Sequence, residues 1–361
     1  MSSPTGLPLL RRLVMPGLFV AGVFAVFFLR QGPPPAADRE MTISGPTMGT
    51  TFNVKVVTND VTEAHHDRLA QIMRGVVDGV DESMSTYRPE SEIEDFNRSG
   101  TVPFAASPGM VAVVSEAQRV SRLTGGAFDV TVGPLVEIWG FGPSGSTETP
   151  SDEKLQELVA VTGFEQLEVD VEGLMLRKAR NDCRIDLSAI AKGFAVDSVA
   201  AALDREGYLH YMVEIGGEVR TRGRNGAGDA WRIGIERPDA EERLVHTAIP
   251  LSELSLATSG DYRNFVVRDG IRFSHTIDPR TGRPIAHDLA SVSVIHASCM
   301  TADALATALE VLGPEEGFAL AERQDIPALF LIRVGDGAFE ERHTGVWAAL
   351  VENRGATETV G

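Results

Sequence analysis

The segment QLEVDVEGLMLRKARNDCRIDLSAIAKGFAVDSVAAALDREG, residues 166–207, decides the fold class. Its first part alternates apolar and polar residues as far as Ser188, which predicts a β meander. From Ser188 onward the apolar residues recur at helical spacing, and the run ends at Gly207, as helices commonly end. Strands therefore lead into a helix without the regular strand–helix–strand repeat of a parallel α/β protein.

The rest of the chain shows the same mixture of elements. Helical spacing of apolar residues predicts helices over four segments: 61–84, 108–124, a segment after the Gly/Ser/Thr-rich loop 140–152, and 301–312. Alternation predicts strands over 41–57, in short runs between 211 and 277, and over 290–297. These elements predict an α+β fold with mixed, largely antiparallel sheets flanked by helices.

Composition and charge limit the possible functions. At 361 residues, with 43% apolar and 23% charged residues, the chain has the composition of a globular protein with a large core. Its 33 Lys and Arg against 51 Asp and Glu give a net charge of −18. This charge argues against nucleic-acid binding, which needs a concentrated basic surface. An anionic small-molecule substrate would need a metal ion or helix N-termini to offset the repulsion.

The N-terminal segment, residues 1–40, carries the clearest topological signal. Arg11 and Arg12 precede an uncharged apolar run of 17 residues, Leu13 to Leu29, and a Pro-rich linker follows. This length is at the lower limit for a membrane span and exceeds most signal-peptide cores. We expect an uncleaved signal anchor, with a cleaved signal peptide as the alternative. In both cases the positive-inside rule places the following domain, 41–340, and its C-terminal tail, 341–361, outside the cytoplasm.

The cysteine and glycine patterns argue against a zinc site and against two common nucleotide-binding motifs. Cys183 and Cys299 do not form a zinc pattern. Both lie in apolar segments, so two buried free thiols are favoured over a single disulfide. The glycine clusters match neither the dinucleotide-binding fingerprint nor the phosphate-binding P-loop.

The helix predicted at 301–312 carries a candidate metal site. Asp303 and Thr307 are four residues apart, so they lie on one face of the helix. A carboxylate and a hydroxyl are hard oxygen ligands that suit Mg²⁺ or Ca²⁺. The alternative is that Thr301 caps the helix and Asp303 stabilises the first turn through the helix dipole, without any metal.

The junction IDLSAIAK, residues 185–192, is a second candidate. A strand is expected to end at Asp186-Leu187, and the chain then bends through Ser188-Ala189 into a helix. Such a turn exposes backbone amides and carbonyls beside Lys192, which can bind a phosphate or a cation. A capped helix with Lys192 in solvent is the alternative.

The segment TGGAFD, residues 124–129, is a third candidate. Gly125-Gly126 would let the backbone approach a ligand closely, next to Asp129. A helix that ends at these glycines and runs into a strand explains them equally well.

The stretch SHTIDPRTGRP, residues 274–284, combines an imidazole and a carboxylate. His275 and Asp278 are three residues apart at the end of a predicted strand. Asp-Pro and Thr-Gly are ordinary turn formers. The pair is therefore either part of a turn, or a general base with an orienting carboxylate.

Seven sequence blocks in a fixed order resemble the FAD:protein FMN transferases of the ApbE family. The blocks are GPTMGTTF, STYRPESEIEDFN, TGGAFDVTVGPLV with the following WGFG, IDLSAIAKGFAVD, VEIGGEVRTRG, SHTIDPRTGRP and TADALATAL. The resemblance runs from about Thr42 to Arg333, which is most of the domain at 41–340. It implies the flavin transferase fold and a catalytic domain.

The resemblance implies an activity and its partners. Enzymes of this family split FAD and attach its FMN half, through the phosphate, to a Thr or Ser hydroxyl of an acceptor protein, with release of AMP. For this chain it implies Mg²⁺, FAD as substrate, and the flavoprotein subunit of a membrane electron-transport complex as acceptor. Together with the N-terminal segment, it implies a location on the periplasmic side of the inner membrane, or in the periplasm if the segment is cleaved.

The resemblance also assigns roles to individual residues. Contacts with FAD are implied for Met48, Tyr87, Ala127, Phe128, Asp129, Asp186, Lys192 and Ile277. Metal ligands are implied at the Ala189 carbonyl, Asp303 and Thr307, and a catalytic role is implied for His275. Two positions depart from the family: Ser188 stands where Gly is frequent, and EIGGE at 214–218 replaces the usual N(A/L)GGD. The second departure concerns contacts on the adenine side.

The implied roles agree with the chemistry of the residues. A divalent cation neutralises charge on a pyrophosphate and aligns in-line attack, and a histidine such as His275 can accept a hydroxyl proton near neutral pH, with Asp278 as an orienting partner. Two other classes stay open. One is a non-catalytic FAD carrier or assembly factor for a respiratory flavoprotein complex, and the other is a membrane-tethered solute-binding protein. The presence of His275, Asp303 and Thr307 favours the enzyme.

Overall fold

The computed structural model describes residues 39–238, 244–262, 265–268, 270–335 and 337–356. Within these ranges the helices are α1 Glu63–Met84, α2 Glu92–Arg98, α3 Pro108–Leu123, α4 Gly133–Ile138, α5 Asp152–Val159, α6 Ala191–Arg205, α7 Cys299–Arg323 and α8 Gly345–Ala356. The strands are β1 Arg39–Thr47, β2 Thr50–Thr58, β3 Phe104–Ala105, β4 Leu167–Asp170, β5 Met175–Lys178, β6 Tyr211–Ile215, β7 Glu218–Arg222, β8 Trp231–Glu236, β9 Val245–Leu251, β10 Ser255–Gly260, β11 Phe265–Arg268, β12 Ile271–Ser274, β13 Ile277–Asp278, β14 Arg283–Pro284, β15 Leu289–His296, β16 Ala328–Arg333 and β17 Phe339–His343.

An eight-stranded sheet organises the fold. Its strands lie in the order β1-β2-β6-β7-β10-β15-β16-β17, and every neighbouring pair is antiparallel. The smaller sheets, β3-β5-β4, β8-β9, β11-β12 and β13-β14, are antiparallel as well. The α+β prediction is confirmed.

The two faces of this sheet bury different clusters because side chains alternate along each strand. Ala257 and Val294 face the main core, which α1, α6 and α7 cover. Their neighbours Leu256 and Ile295 face a second cluster, which contains Trp231 of β8 and Trp347 of α8. Layers on both faces therefore hold β10 and β15 rigidly in the middle of the sheet.

Several helices begin where the sequence provides a capping side chain. The Thr62 hydroxyl accepts the His65 N–H at the start of α1, and Ser107 caps α3 with Pro108 at its first position. Such caps satisfy backbone amides that have no partner within the helix. The predicted boundaries of both helices are confirmed to within two residues.

One predicted strand is absent. β4 and β5 form the expected hairpin, but residues 181–187 do not join a sheet. Instead the Asn97 side chain bonds both backbone groups of Ile185, accepting its N–H at 2.8 Å and donating to its carbonyl at 2.9 Å. The Asp186 N–H donates to the Val130 carbonyl at 2.7 Å. The backbone groups expected to pair with a strand are thus satisfied by a side chain and a loop.

The C-terminal boundary also differs from the prediction. The division at residue 340 falls inside β17, which pairs along its whole length with β16 in the main sheet. Beyond it, α8 places Trp347 in the second hydrophobic cluster with 4% of its surface exposed. Residues 341–356 are therefore packed onto the domain rather than forming a separate tail.

Both cysteines are buried free thiols, as the sequence favours. Burial raises the pKa of Cys183 to about 11. A thiol of this kind is inert near neutral pH because the thiolate is the reactive form.

The predicted membrane anchor lies outside the described residues. Among the residues that are described, no helix is both long enough and apolar enough to cross a bilayer.

Candidate active site

A cleft of about 650 Å³ opens beside the ends of β2, β6 and β10. This volume is within the range of sites that take small molecules and cofactors. Ten of the residues singled out from the sequence line it: Ala127, Phe128, Asp129, Asp186, Ala189, Lys192, His275, Ile277, Asp303 and Thr307. Segments up to about 180 residues apart in sequence thus converge on one cavity, which supports their common assignment to one site.

The lining of the cleft is strongly acidic. Among its described lining residues Lys192 is the only lysine or arginine, against five carboxylates: Asp129, Asp186, Glu214, Glu236 and Asp303. An anionic ligand would be repelled by this surface unless a cation accompanied it.

Asp303 lies deeper in its helix than the capping alternative requires. The N-cap of α7 is Ser298, whose hydroxyl accepts the Thr301 N–H, so Asp303 is the fifth residue of the helix and lies beyond its first turn. Its Oδ2 accepts the N–H of Gly193 at 2.9 Å. Capping by Thr301 with a dipole role for Asp303 is therefore wrong, and the carboxylate instead faces α6 and the cleft.

Lys192 joins two buried carboxylates. Its Nζ donates to Glu218 Oε1 at 2.7 Å and lies 3.8 Å from Asp303 Oδ1. Burial alone would lower the pKa of Lys192, but these two carboxylates outweigh it and raise the pKa above its usual value. Burial raises the pKa of Asp303 and brings that of Glu218 to about 7. The alternative with Lys192 in solvent is wrong, because its ammonium group balances charge inside the site.

Gly193 allows α6 and α7 to approach closely at this point. A Cβ on Gly193 would lie 2.4 Å from the carbonyl oxygen of Cys299 and 2.8 Å from Cβ of Asp303. Both distances are below van der Waals contact. Any larger residue would have to push α7, and Asp303 with it, away from α6.

The donor atoms at this junction fit magnesium. The Asp303 carboxylate and the Thr307 hydroxyl lie one turn apart on α7, and the Ala189 carbonyl belongs to the turn that precedes α6; all three residues line the cleft. Such hard oxygen donors, with several positions left to water or substrate, are typical of Mg²⁺. Across the described ranges, no group of three or more His, Cys, Asp or Glu is arranged to hold a metal. The predicted magnesium ligands differ from such a group, because Asp303 is the only carboxylate among them and the other two donors are a hydroxyl and a backbone carbonyl.

The turn before α6 is held by Asp186. Its Oδ1 accepts the Ser188 N–H at 2.8 Å, which closes the bend that presents Ala189 to the cleft. The hydroxyl and N–H of Thr131 donate to Asp129 in the same way, at 2.7 and 2.8 Å. Burial raises the pKa of Asp129, and the bonds from Thr131 oppose the rise. After Gly125-Gly126 the chain forms a 3₁₀ turn and α4, so the expected strand is absent there.

Trp139 forms hydrogen bonds with the chain before and after His275. Its indole N–H donates to the Gly282 carbonyl at 2.8 Å, and its carbonyl accepts the Arg268 guanidinium at 2.7 Å. Arg268 belongs to the hairpin before His275, and Gly282 belongs to the turn after it. The imidazole itself packs edge-on against Phe141, with ring centroids 6.4 Å apart, and faces the cleft.

Asp278 makes contacts that belong to the turn. Both of its carboxylate oxygens accept the Arg280 guanidinium at 3.0 Å, and Oδ1 also accepts the Arg280 N–H. The carboxylate is not among the groups that line the cleft. These contacts assign Asp278 to the support of the turn and give no evidence for an orienting bond to His275.

Tyr87 and Met48 lie outside the residues that line the cleft. The Tyr87 ring is 66% exposed, and its hydroxyl donates to the Phe141 carbonyl at 2.9 Å, so it stands at the rim beside His275. Met48 occupies the β1–β2 turn with a positive φ of 48° and packs partly against the main core.

Asp197 is a positioning residue that the sequence patterns did not reveal. Its carboxylate accepts the N–H groups of Cys299 and Met300, each at 3.1 Å, and the Ser298 hydroxyl at 2.7 Å. It also pairs with Arg220 of β7 at 2.6 Å. It therefore fixes the start of α7 relative to α6 and the sheet. An acid inside an otherwise apolar helix face was the available signal.

Comparison with known proteins gives one consistent family. Residues 48–330 match the model of the ApbE family. A FAD:protein FMN transferase from Vibrio cholerae is 47% identical over 300 residues, which cover 82% of this chain and 89% of that protein. The solved structure of the flavin transferase ApbE from Vibrio cholerae has a TM-score of 0.78 at 44% identity and covers 86% of this chain and 99% of its own. The apo form of the Pseudomonas stutzeri flavinyl transferase ApbE has a TM-score of 0.78 at 39% identity, with 87% and 97% covered.

Proposed function

The chain belongs to the ApbE family, and we propose on this basis that it is a FAD:protein FMN transferase. In the proposed reaction it transfers the FMN half of FAD to a Thr or Ser hydroxyl of an acceptor protein and releases AMP. The observation that carries the proposal is the convergence of His275, Asp303 and Thr307 on one cleft. A protein that only carried or sensed FAD would need the cavity but not this combination.

The transfer is a displacement at phosphorus. The acceptor hydroxyl oxygen forms a bond to the phosphorus of the FMN half, and the bridging P–O bond to AMP breaks. AMP leaves with the electrons of that bond, and the hydroxyl proton passes to the imidazole of His275, which acts as general base.

The acidic lining determines how the substrate is held. The Asp303 carboxylate, the Thr307 hydroxyl and the Ala189 carbonyl would hold Mg²⁺, which when bound neutralises charge on the pyrophosphate. Lys192 adds a further positive charge beside Asp303. Asp186 and Asp129 hold the turns that shape the wall, while Phe128 and Ile277 supply apolar surface for a flavin ring.

A direct assay tests the proposed function. The purified full chain, mixed with FAD, Mg²⁺ and a candidate acceptor subunit, should produce a fluorescent adduct that survives a denaturing gel, with one AMP released per adduct. FMN in place of FAD is the matched control, because it lacks the bond that must break. FAD binding without an adduct, with acceptors that other flavin transferases label, would favour the carrier or the solute-binding protein.

The cellular location follows from the N-terminal segment and is part of the proposal. We expect residues 1–40 to tether the catalytic domain to the inner membrane, with the domain in the periplasm, where it would meet the flavoprotein subunit of an electron-transport complex. Mass spectrometry of the membrane-extracted protein should therefore detect residues before Asp38. A mature N-terminus near Asp38 in the soluble fraction would contradict the anchor and leave a cleaved signal peptide.

A further inference from the structure

Glu310 is a fully buried acid on the helix that carries the candidate metal ligands. Its exposed fraction is 0%. It follows Asp303 by seven residues and Thr307 by three, so all three lie on one face of α7. No role for it follows from the patterns in the sequence or from the proposed chemistry.

The Glu310 carboxylate connects two sides of the cleft wall. Its Oε2 accepts the hydroxyl of Ser259, at the end of β10, and the hydroxyl of Thr276 at 3.2 Å. Both partners line the cleft, and Thr276 directly follows His275. One oxygen thus ties α7 to the strand end and to the segment that carries the base.

The backbone of Glu310 holds the other end of the same segment. The His287 Nε2–H donates to the Glu310 carbonyl at 2.8 Å. The helical conformation is interrupted at Gly313, where φ is 79°, and a Cβ there would lie 2.8 Å from the His287 ring. The segment 276–287 is therefore bonded to Glu310 at both of its ends.

Stability alone does not account for an acid at this position. Oε1 of Glu310 is buried without a hydrogen-bond partner among the described residues. Burial raises the pKa of the carboxyl to about 7, and Asp261 adds to the rise while Ser259, Thr276 and Arg333 oppose it. A leucine of similar size would avoid the cost of desolvating a carboxyl group. The Ser259 and Thr276 hydroxyls need a hydrogen-bond acceptor at this position, which a leucine would not supply.

We propose that Glu310 is a positioning residue that holds segment 276–287 against α7, and thereby fixes His275 relative to Asp303 and Thr307. The inference rests on the proposed function, in which His275 acts as base and the α7 residues hold the metal. In-line transfer requires both groups at the same phosphorus, and a displacement of about 1 Å can cost about 10² in rate.

Single-turnover transfer at saturating FAD and Mg²⁺ tests the role. Glu310→Ala should slow transfer by about 10- to 100-fold. The affinity for FAD should stay within about twofold of wild type, because the substitution removes none of the residues assigned to contact FAD. Glu310→Gln keeps an oxygen that accepts both hydroxyls and should restore transfer to within about threefold. A wild-type rate in Glu310→Ala, or a Gln variant as slow as the Ala variant, would overturn the proposal.

Thr276→Val removes one of the two hydroxyls, so its effect on the transfer rate should be smaller in the Glu310→Ala background than in wild type. Thr344→Val is the matched control: this fully buried threonine, between β17 and α8, donates to the Ile326 carbonyl at 3.0 Å and is not among the described residues that line the cleft. It should lower stability without slowing transfer. Additive effects of Thr276→Val and Glu310→Ala would contradict the shared contact.

Hydrogen exchange separates this inference from the proposed function. Amides in 276–287, such as Ile285, which donates to the Thr276 carbonyl at 3.0 Å, should exchange at least about tenfold faster in Glu310→Ala than in wild type or in Thr344→Val. This readout does not require any transfer activity. Unchanged exchange would overturn the role of Glu310 even if the transferase assay succeeds, whereas faster exchange in an enzyme without transfer would contradict only the proposed function.

Discussion

His275→Ala should bind FAD and magnesium about as well as wild type but transfer FMN about 10²- to 10⁴-fold more slowly, the usual contribution of a positioned general base. His275 faces the cleft, and Trp139 forms hydrogen bonds with the chain before and after it. The atoms assigned to bind magnesium lie on α7 and in the turn before α6, so the substitution should leave magnesium binding intact. Fluorescence titration of FAD beside single-turnover transfer measures the two quantities separately.

The pH dependence gives an independent test of the same role. A general base acts only in its neutral form, so the wild-type rate should rise with pH as the imidazole loses its proton, and His275→Ala should lose this dependence. His246→Ala is a suitable control, because His246 pairs with Glu341 at 3.0 Å between β9 and β17 and is not among the described residues that line the cleft. Weak FAD binding by His275→Ala, with a normal transfer rate once FAD saturates, would show that the histidine only packs the strand end.

Asp303→Asn should abolish transfer by removing the only charged ligand of the proposed magnesium site. The amide keeps the size of the side chain and an oxygen that can accept the Gly193 N–H, so the junction of α6 and α7 should persist. Magnesium should raise the unfolding temperature of the wild-type protein by a few degrees, since a ligand at 100 times its Kd adds about 2.7 kcal/mol to the free energy of unfolding. This shift should vanish in Asp303→Asn.

Two further variants test the metal site: Thr307→Val removes a second proposed ligand, and Asp204→Asn is the control for Asp303→Asn. Thr307→Val removes a neutral ligand, so its transfer should recover in part at high Mg²⁺. Asp204 lies on α6 like Gly193 but near the opposite end of the helix, where it pairs with Arg222 of β7 at 2.6 Å. Asp204→Asn should therefore keep both the transfer and the magnesium-dependent shift. Wild-type activity of Asp303→Asn at micromolar Mg²⁺ would show that the ligand assignment is wrong.

The fold was predictable where one physical signal dominates. Alternation and helical spacing located six of the eight strands of the main sheet and α1, α3 and α7, because burial of one face imposes these periods on the sequence. The two remaining strands, β16 and β17, were not predicted. The segment 181–187 has the same alternation, yet it pairs with the Asn97 side chain instead of a strand. A partner so distant in sequence leaves no local pattern, and for this reason the strand was wrongly predicted.

The site was predictable where its residues form local motifs. The spacing of Asp303 and Thr307 placed them on one helix face, and turn patterns singled out the segments 124–129, 185–192 and 274–284. The ApbE resemblance then joined these segments into one site. Glu310 and Asp197 act through partners more than 20 residues away in sequence, so only the structure reveals them. Asp278 shows the limit of sequence proximity: it lies three residues from His275, but the structure shows both of its oxygens bonded to Arg280, two residues away.

The contact between Gly193 and α7 has a consequence for the mutational tolerance of this enzyme. Gly193 is buried, and a single carbon added there would meet the Cys299 carbonyl oxygen at 2.4 Å. The carbonyl belongs to the backbone, and the Asp303 Cβ at 2.8 Å has no rotamer freedom, so neither atom can move unless α7 moves. We therefore expect even Gly193→Ala to displace Asp303 and to be poorly tolerated.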